Sequence, residues 1–269
     1  MSDAGRLSSD PASAPSELLR VSGVRVCFGG IVALDNVSFS VDAGQIAGLI
    51  GPNGAGKTTL FNCLSRLYEY EQGTIVFNGT PLSSVPQHRI ATLGIGRTFQ
   101  NLALFGTMSV LENVMVGRHC RTFSGFAANA LRLPRVSAED KSTAEHARDL
   151  IDFLHLNAVT HARVRELPFA IQKRVDLARA LAANPKLLLL DEPASGLNHE
   201  EAQGLGRIIR EIRDRLGVTV LLVEHRMSLV MGISDKVVAL HFGKKIADGT
   251  PEQVRAHPEV VQAYLGAAA

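Results

Sequence analysis

Nine consecutive residues, Gly51, Pro52, Asn53, Gly54, Ala55, Gly56, Lys57, Thr58 and Thr59, fit the spacing G-x-x-x-x-G-K-[ST]. Glycines so placed let backbone N–H groups turn inward around phosphate oxygens. The lysine would reach the β- and γ-phosphates of a nucleoside triphosphate, and the Thr58 hydroxyl would coordinate Mg²⁺. Such a pattern arises by chance in roughly one chain in a hundred of this length, so its surroundings decide. It follows an apolar run at 45–50 and opens a stretch of helical spacing at 57–66. A helix N-terminus there adds positive potential. A second group is Asp191 and Glu192, adjacent carboxylates that end the run Leu187 to Leu190. Four leucines in a row mark a strand buried on both faces. Its carboxyl end is where ligands of α/β sheets bind. Asp191 would hold Mg²⁺, directly or through water, and Glu192 is the candidate general base for an attacking water.

These groups need a sheet and helices to carry them. Residues 19–28 and 37–41 alternate apolar and polar, as strands do, and 73–77 is a strand closed by the turn signal Asn78-Gly79. Helical periodicity takes over after Gly106, at 110–115 and 146–156; the span 121–141 resists assignment. From Leu167 the α/β rhythm returns: helices at 175–182 and 200–216, strands at 187–190, 218–223 and 237–240, and a terminal helix at 251–265. Strands alternating with helices predict a mostly parallel sheet. The expected organisation is a nucleotide-binding α/β core with a β subdomain at 17–87 and 165–269. A helical subdomain at 88–164 and a disordered tail at 1–16 complete it.

Composition narrows the class. The chain has 269 residues, 46% of them hydrophobic and 20% charged, with a formal net charge of +2. That hydrophobic fraction excludes a disordered chain. The charge balance is not that of a protein that wraps nucleic acid. Arg207, Arg210, Arg213 and Arg215 lie on one helix, but no aromatics interleave them, so a solvated face is the expectation. Cys27, Cys63 and Cys120 are far apart and form no C-x-x-C pair, which points to reduced thiols in a cytosolic setting. The tail has no apolar run after a basic start, unlike a signal peptide. No run of 18 apolar residues suggests a membrane span.

With these motifs in view, the chain from about Leu18 to Gly266 resembles the ATP-binding subunits of ABC transporters. That resemblance implies ATP and Mg²⁺ as cofactors and the ABC ATPase fold: a P-loop NTPase core, an antiparallel β subdomain and a helical subdomain. Phe28 falls where the family stacks an aromatic on adenine; a plain core-strand role competes with that. Gln100 falls where the family's glutamine contacts Mg²⁺ and senses the transmembrane subunits. His225 matches the switch histidine that contacts the γ-phosphate. Ser195-Gly-Leu-Asn198 occupies the loop that crosses the dimer interface, with Asn198 where the family often has Asp. Within the family, Gly96 to Phe105, Met108 to Val114 and the tail from Ile246 to Gly266 are similar to the branched-chain amino acid branch. Urea, amide and lipopolysaccharide-export relatives share parts of these segments.

The resemblance implies a subunit peripheral to the cytoplasmic face of the membrane. Its partners would be two permease subunits and a second ATP-binding subunit, in a heterodimer or a homodimer. The family's signature segment, roughly L-S-G-G-Q-[QK]-R, is changed here to Leu167-Pro-Phe-Ala-Ile-Gln-Lys-Arg174. Pro168 replaces the serine, Ala170 the second glycine and Ile171 the first glutamine. The changes leave three readings: unequal hydrolysis at the two composite sites, a dimerisation subunit that binds ATP and hydrolyses it weakly, or a branch that tolerates the changes so that both sites work alike. A soluble ABC ATPase of translation or repair would carry two cassettes or a long coiled coil, and neither is in the sequence.

Overall fold

The computed structural model describes residues 17–100, 102–121 and 134–265. The tail at 1–16 and most of the unassigned 121–141 span lie outside the described residues. Two sheets make up the β structure. The first is antiparallel, in the order β2-β1-β4-β5, from β1 (Glu17–Phe28), β2 (Ile31–Asp42), β4 (Gln72–Phe77) and β5 (Thr80–Pro81). Asn78 and Gly79 both take positive φ, 47° and 77°, in the turn that returns β4 as β5. Those are the dihedral signs of the hairpin turn that Asn-Gly favours.

The second sheet runs β10-β9-β3-β8-β7-β6. Its strands are β3 (Ile46–Ile50), β6 (Ile95–Arg97), β7 (Leu187–Asp191), β8 (Thr219–Val223), β9 (Lys236–His241) and β10 (Lys244–Gly249). All its neighbours pair parallel except β10 with β9. The leucine run explains the layering. Leu188 and Leu190 enter the core on one face, and Leu187 and Leu189 the core on the other. The β8 residues split the same way, Val220 and Leu222 against Leu221 and Val223. Side-chain alternation in a strand covered on both sides requires this division. One core joins the sheet to the antiparallel sheet, to α1 (Lys57–Leu64) and to α2 (Ile90–Leu93); the other joins it to the remaining helices.

Those helices are α3 (Val110–Gly117), α4 (Pro134–Phe153), α5 (Phe169–Leu181), α6 (His199–Leu216), α7 (Met227–Ile233), α8 (Pro251–Arg255) and α9 (Pro258–Leu265). Helix α6 buries Leu205, Ile208, Ile209 and Ile212 on one side. A capping box between Asn198 and Glu201 starts it, and Gly217 in the left-handed region ends it. Three of its arginines have partners: Arg213 pairs with Asp235 at 2.9 Å, Arg210 donates to the Gly232 carbonyl, and Arg215 lies over the Phe153 ring.

The structure departs from the sequence reading at several points. The terminal helix expected at 251–265 is two helices, because Pro258 has no N–H to donate and disfavours a helical His257. Residues 95–97, grouped above with the helical stretch, form the edge strand of the main sheet beside β7. Strand β10 and helix α7 went unread, one for its three charged residues and the other for its brevity. The cysteines are free thiols; burial pushes Cys63 up to about 11. Among the described residues no helix is long and apolar enough to cross a membrane.

Leu189 is fully buried in the layer between the two sheets. Leu189→Ala is expected to cost about 2–5 kcal/mol of stability, from lost burial and the cavity left behind. Urea denaturation checks it; a loss under 1 kcal/mol would show that this layer collapses around the gap.

Candidate functional site

The loop at 51–56 leaves β3 and enters α1. Two of its glycines are required by contact. Gly51 has φ 153°, and a Cβ there would meet the Leu240 carbonyl oxygen at 2.3 Å. Gly56, the N-cap of α1, has φ 98°; a Cβ there would sit 2.6 Å from the Ala33 carbonyl oxygen. The loop is thus pressed onto β9 and β2, which aims its backbone outward from the end of the sheet. The buried Lys57 ammonium donates to the Gly51 and Pro52 carbonyl oxygens at 2.7 and 2.8 Å. Burial lowers its pKa, while Glu192 and Asp191 act to raise it. Two neutral carbonyls are weaker partners for an ammonium than phosphate oxygens. A glycine-lined turn, a buried cation and a helix N-terminus fit a triphosphate.

Asp191 and Glu192 separate at the end of β7. Asp191 keeps strand geometry and is buried; its carboxylate accepts from Arg97 Nη2 at 3.0 Å. Burial raises its pKa, and the Arg97 hydrogen bond and charge oppose that. Glu192 instead takes φ 48°, in the left-handed region. Such a conformation costs a non-glycine residue about 1–3 kcal/mol and is held by its surroundings. It turns the Glu192 carboxylate away from Asp191. There Glu192 Oε2 accepts from Gln100 Nε2 at 2.9 Å, and Oε1 lies 2.6 Å from His225 Nε2. Thus Lys57, Asp191, Glu192, Gln100 and His225 are drawn to one place from four segments. Thr58 and Thr59 open α1 beside them, with the Thr58 side chain exposed. The donor set of Thr58 hydroxyl, Gln100 amide and Asp191 carboxylate is all oxygen, as Mg²⁺ requires.

Phe28 is not a core residue. It ends β1, is 45% exposed and meets the Tyr68 ring edge-on at 5.2 Å. The β1–β2 hairpin that carries it also supplies the Ala33 carbonyl that touches Gly56. An open aromatic face is therefore anchored to the phosphate loop.

Sequence reasoning missed three residues. Arg97 bridges Asp191 to Asn62 Oδ1 and Ser65 Oγ, each at 2.9 Å, and so ties β6 to the loop helix α1. Its signal was an arginine inside a short apolar strand. Glu224 is only 2% exposed and accepts backbone N–H groups from both the 194 and 225 loops. Its signal was a carboxylate directly after an unbroken apolar strand. Asn113 is fully buried, accepting from the Phe105 N–H and donating to the Phe105 and Ser109 carbonyls. The altered segment at 167–174 begins α5, with Pro168 at its N-cap. Ala170 and Ile171 turn toward the core, while Phe169 stands 45% exposed.

Known proteins resemble this chain along most of its length. The ABC transporter family model matches residues 34–195. The model described as branched-chain amino acid ATP-binding cassette transporter matches 244–269. The chain is 41% identical over 251 residues to the high-affinity branched-chain amino acid transport ATP-binding protein BraF of Pseudomonas aeruginosa, covering 93% of this chain and 98% of the relative. It is 40% identical over 251 residues to LivG of Escherichia coli K12, of the same description, with the same coverage. The lipopolysaccharide export system ATP-binding protein LptB of Acidithiobacillus ferridurans is 32% identical over 251 residues, again 93% of this chain and 98% of the relative. A crystal structure of an ATP-binding cassette of an ABC transporter, in its ADP conformation, superposes with a TM-score of 0.81. It shares 31% identity and covers 93% of this chain and 99% of that one.

Arg97 offers a test of the charge balance. It holds the Asp191 pKa down, so Arg97→Met lets Asp191 take up a proton at higher pH. The acid limb of the ATP hydrolysis profile is expected to move to higher pH, with more Mg²⁺ needed at the low end. An unshifted limb would mean that Arg97 only packs.

Proposed function

We propose that this chain, which belongs to the ABC transporter family as one of its ATP-binding proteins, hydrolyses ATP to energise uptake of branched-chain amino acids. One observation carries the hydrolytic part: Glu192 is held between Gln100 and His225, beside the Lys57 loop. Lys57 exchanges the Gly51 and Pro52 carbonyls for the β- and γ-phosphates. Glu192 orients a water for in-line attack on the γ-phosphorus and takes its proton. His225 donates to the γ-phosphate, and the Phe28 face stacks on adenine. Thr58, Gln100 and Asp191 would hold Mg²⁺, which when bound neutralises charge on the phosphoryl oxygens. The solute reading is supported by the relatives' descriptions and by the match at 244–269.

The working unit is a dimer around two ATP molecules, on the cytoplasmic face of two permease subunits. A second, different ATP-binding subunit is the expected partner. The signature segment of this chain would then face the partner's ATP. It presents Phe169 over Gly196, with Lys173 Nζ 5.4 Å from the ring centroid. The helix N-terminus survives there, without a side-chain cap. Hydrolysis is therefore unequal, with the site built on Lys57, Asp191, Glu192 and His225 as the faster one.

In the assembled transporter, Glu192→Gln is expected to retain ATP binding and remove most turnover and leucine uptake. The matching change in the partner costs less. Steady-state ATPase and labelled leucine uptake check both. Wild-type turnover in Glu192→Gln overturns the general-base role, and equal losses in the two subunits overturn the asymmetry.

Docking generates a separate expectation. Asn113 clamps the Phe105 backbone from inside, which throws the ring outward to 50% exposure, while Leu104 packs on the core. Arg179 of α5 donates to the Ala103 carbonyl, joining this loop to the signature helix. Phe105→Asp is expected to reduce co-purification with the permeases about tenfold while leaving ATP affinity unchanged. Undiminished co-purification and uptake would place the docking surface elsewhere.

A further inference from the structure

Glu224 has no part in the chemistry described above, yet it occupies a costly position. Its carboxylate lies in the interior, 2% exposed, directly after β8. A buried carboxylate is tolerated only when its oxygens are satisfied. Here each oxygen serves a different loop. Oε1 accepts from the Ala194 N–H at 2.6 Å, in the loop that follows Glu192. Oε2 accepts from the N–H groups of His225 at 3.1 Å and Arg226 at 3.4 Å. The Glu192 N–H donates to the Val223 carbonyl at 2.9 Å, which continues the β7–β8 ladder past Asp191. The ladder ends there, and the Glu224 side chain then joins the two loops beyond it. The nearby cation is Lys173, on the signature helix, whose buried ammonium feels Asp176 first and then Glu224.

We propose that Glu224 is a positioning residue for hydrolysis, fixing the His225 loop to the 193–198 loop so that His225 and Glu192 keep their register. The proposal rests on the reading that His225 acts on the γ-phosphate. Two consequences separate this role from simple packing. A carboxylate presents only acceptors, whereas the amide of a glutamine turns one oxygen into an NH₂ group. In Glu224→Gln, that NH₂ must face either the Ala194 N–H or the His225 N–H, so one loop is released though the side-chain volume is kept. Glu224→Asp keeps both acceptors but is one methylene shorter, so it restores part of the link. Because Glu224 touches no residue of the phosphate loop in these contacts, ATP affinity should survive while turnover falls.

The experiment uses the assembled transporter and four variants: Glu224→Gln, Glu224→Asp, His225→Ala and the double variant Glu224→Gln with His225→Ala. ATP dissociation constants and kcat are measured for each. Loss of hydrogen bonds to a charged group predicts a kcat lower by about tenfold or more in Glu224→Gln, an ATP Kd within about twofold of wild type, and partial recovery in Glu224→Asp. The double variant is expected to turn over no more slowly than His225→Ala alone, since both changes disable one device. A wild-type kcat in Glu224→Gln overturns the proposal. So do losses that multiply in the double variant, which would make Glu224 independent of His225. If Glu224→Gln does not fold, Glu224→Asp with His225→Ala supplies the same cycle. A wild-type rate in His225→Ala removes the reading of His225 and the proposal with it, a result distinct from multiplied losses.

Discussion

Burial of negative charge at the carboxyl ends of β7 and β8 is the constraint that orders this molecule. Asp191, Glu192 and Glu224 lie within one corner, where two fully buried strands end. Carboxylate oxygens placed there need hydrogen-bond donors and cations beside them. The chain supplies the cations from three directions: Arg97 from the edge strand, Lys57 from the loop helix and Lys173 from the signature helix. Each cation belongs to a segment that must be correctly placed for the site to work. Charge compensation and assembly of the site are the same event.

This arrangement also explains how the loops communicate. Gln100 and His225 reach Glu192 from the edge and centre of the main sheet. Arg97, three residues before Gln100, holds Asp191 and grips α1 through Asn62 and Ser65. Arg179 links Ala103 to α5, where Asp176 holds its other nitrogen at 2.7 Å. Hydrogen bonds thus join the segments around Arg97, Gln100 and Ala103 to Asp191, Glu192 and α5, beside the packed leucine layers. Those layers resist deformation because they are close-packed.

The left-handed conformation of Glu192 belongs to the same logic. Consecutive residues in a strand point to opposite faces. Asp191 is committed to the interior by the strand it ends, and only a break in strand geometry lets Glu192 emerge near His225. The strained residue is the first one past the buried end of β7. The Glu192 N–H bond to Val223 and the Ser195 N–H bond to the Glu192 carbonyl hold it there.

Much of this was legible without coordinates, because short-range rules dictate it. The glycine-lysine-threonine loop, the four-leucine strand and the Asn78-Gly79 turn each specify local geometry by sterics and alternation alone. So the parallel sheet, the loop helix and the pairing of phosphate loop with Asp191 and Glu192 could be read in the chain. The two-helix ending was missed because apolar spacing masked the break at Pro258. Strand β6 was missed because three residues carry no period. Arg97 and Glu224 stood out by type and place, but their partners could not be read: Asp191 lies 94 residues from Arg97, and Ala194 lies 30 from Glu224. Asn113 was passed over because its bonds fold back on a loop only 8 residues away, a shape the sequence does not announce. Sequence determines which groups can ionise or donate; only the fold decides which of them are buried together, and burial turns an ordinary carboxylate into one that must be answered.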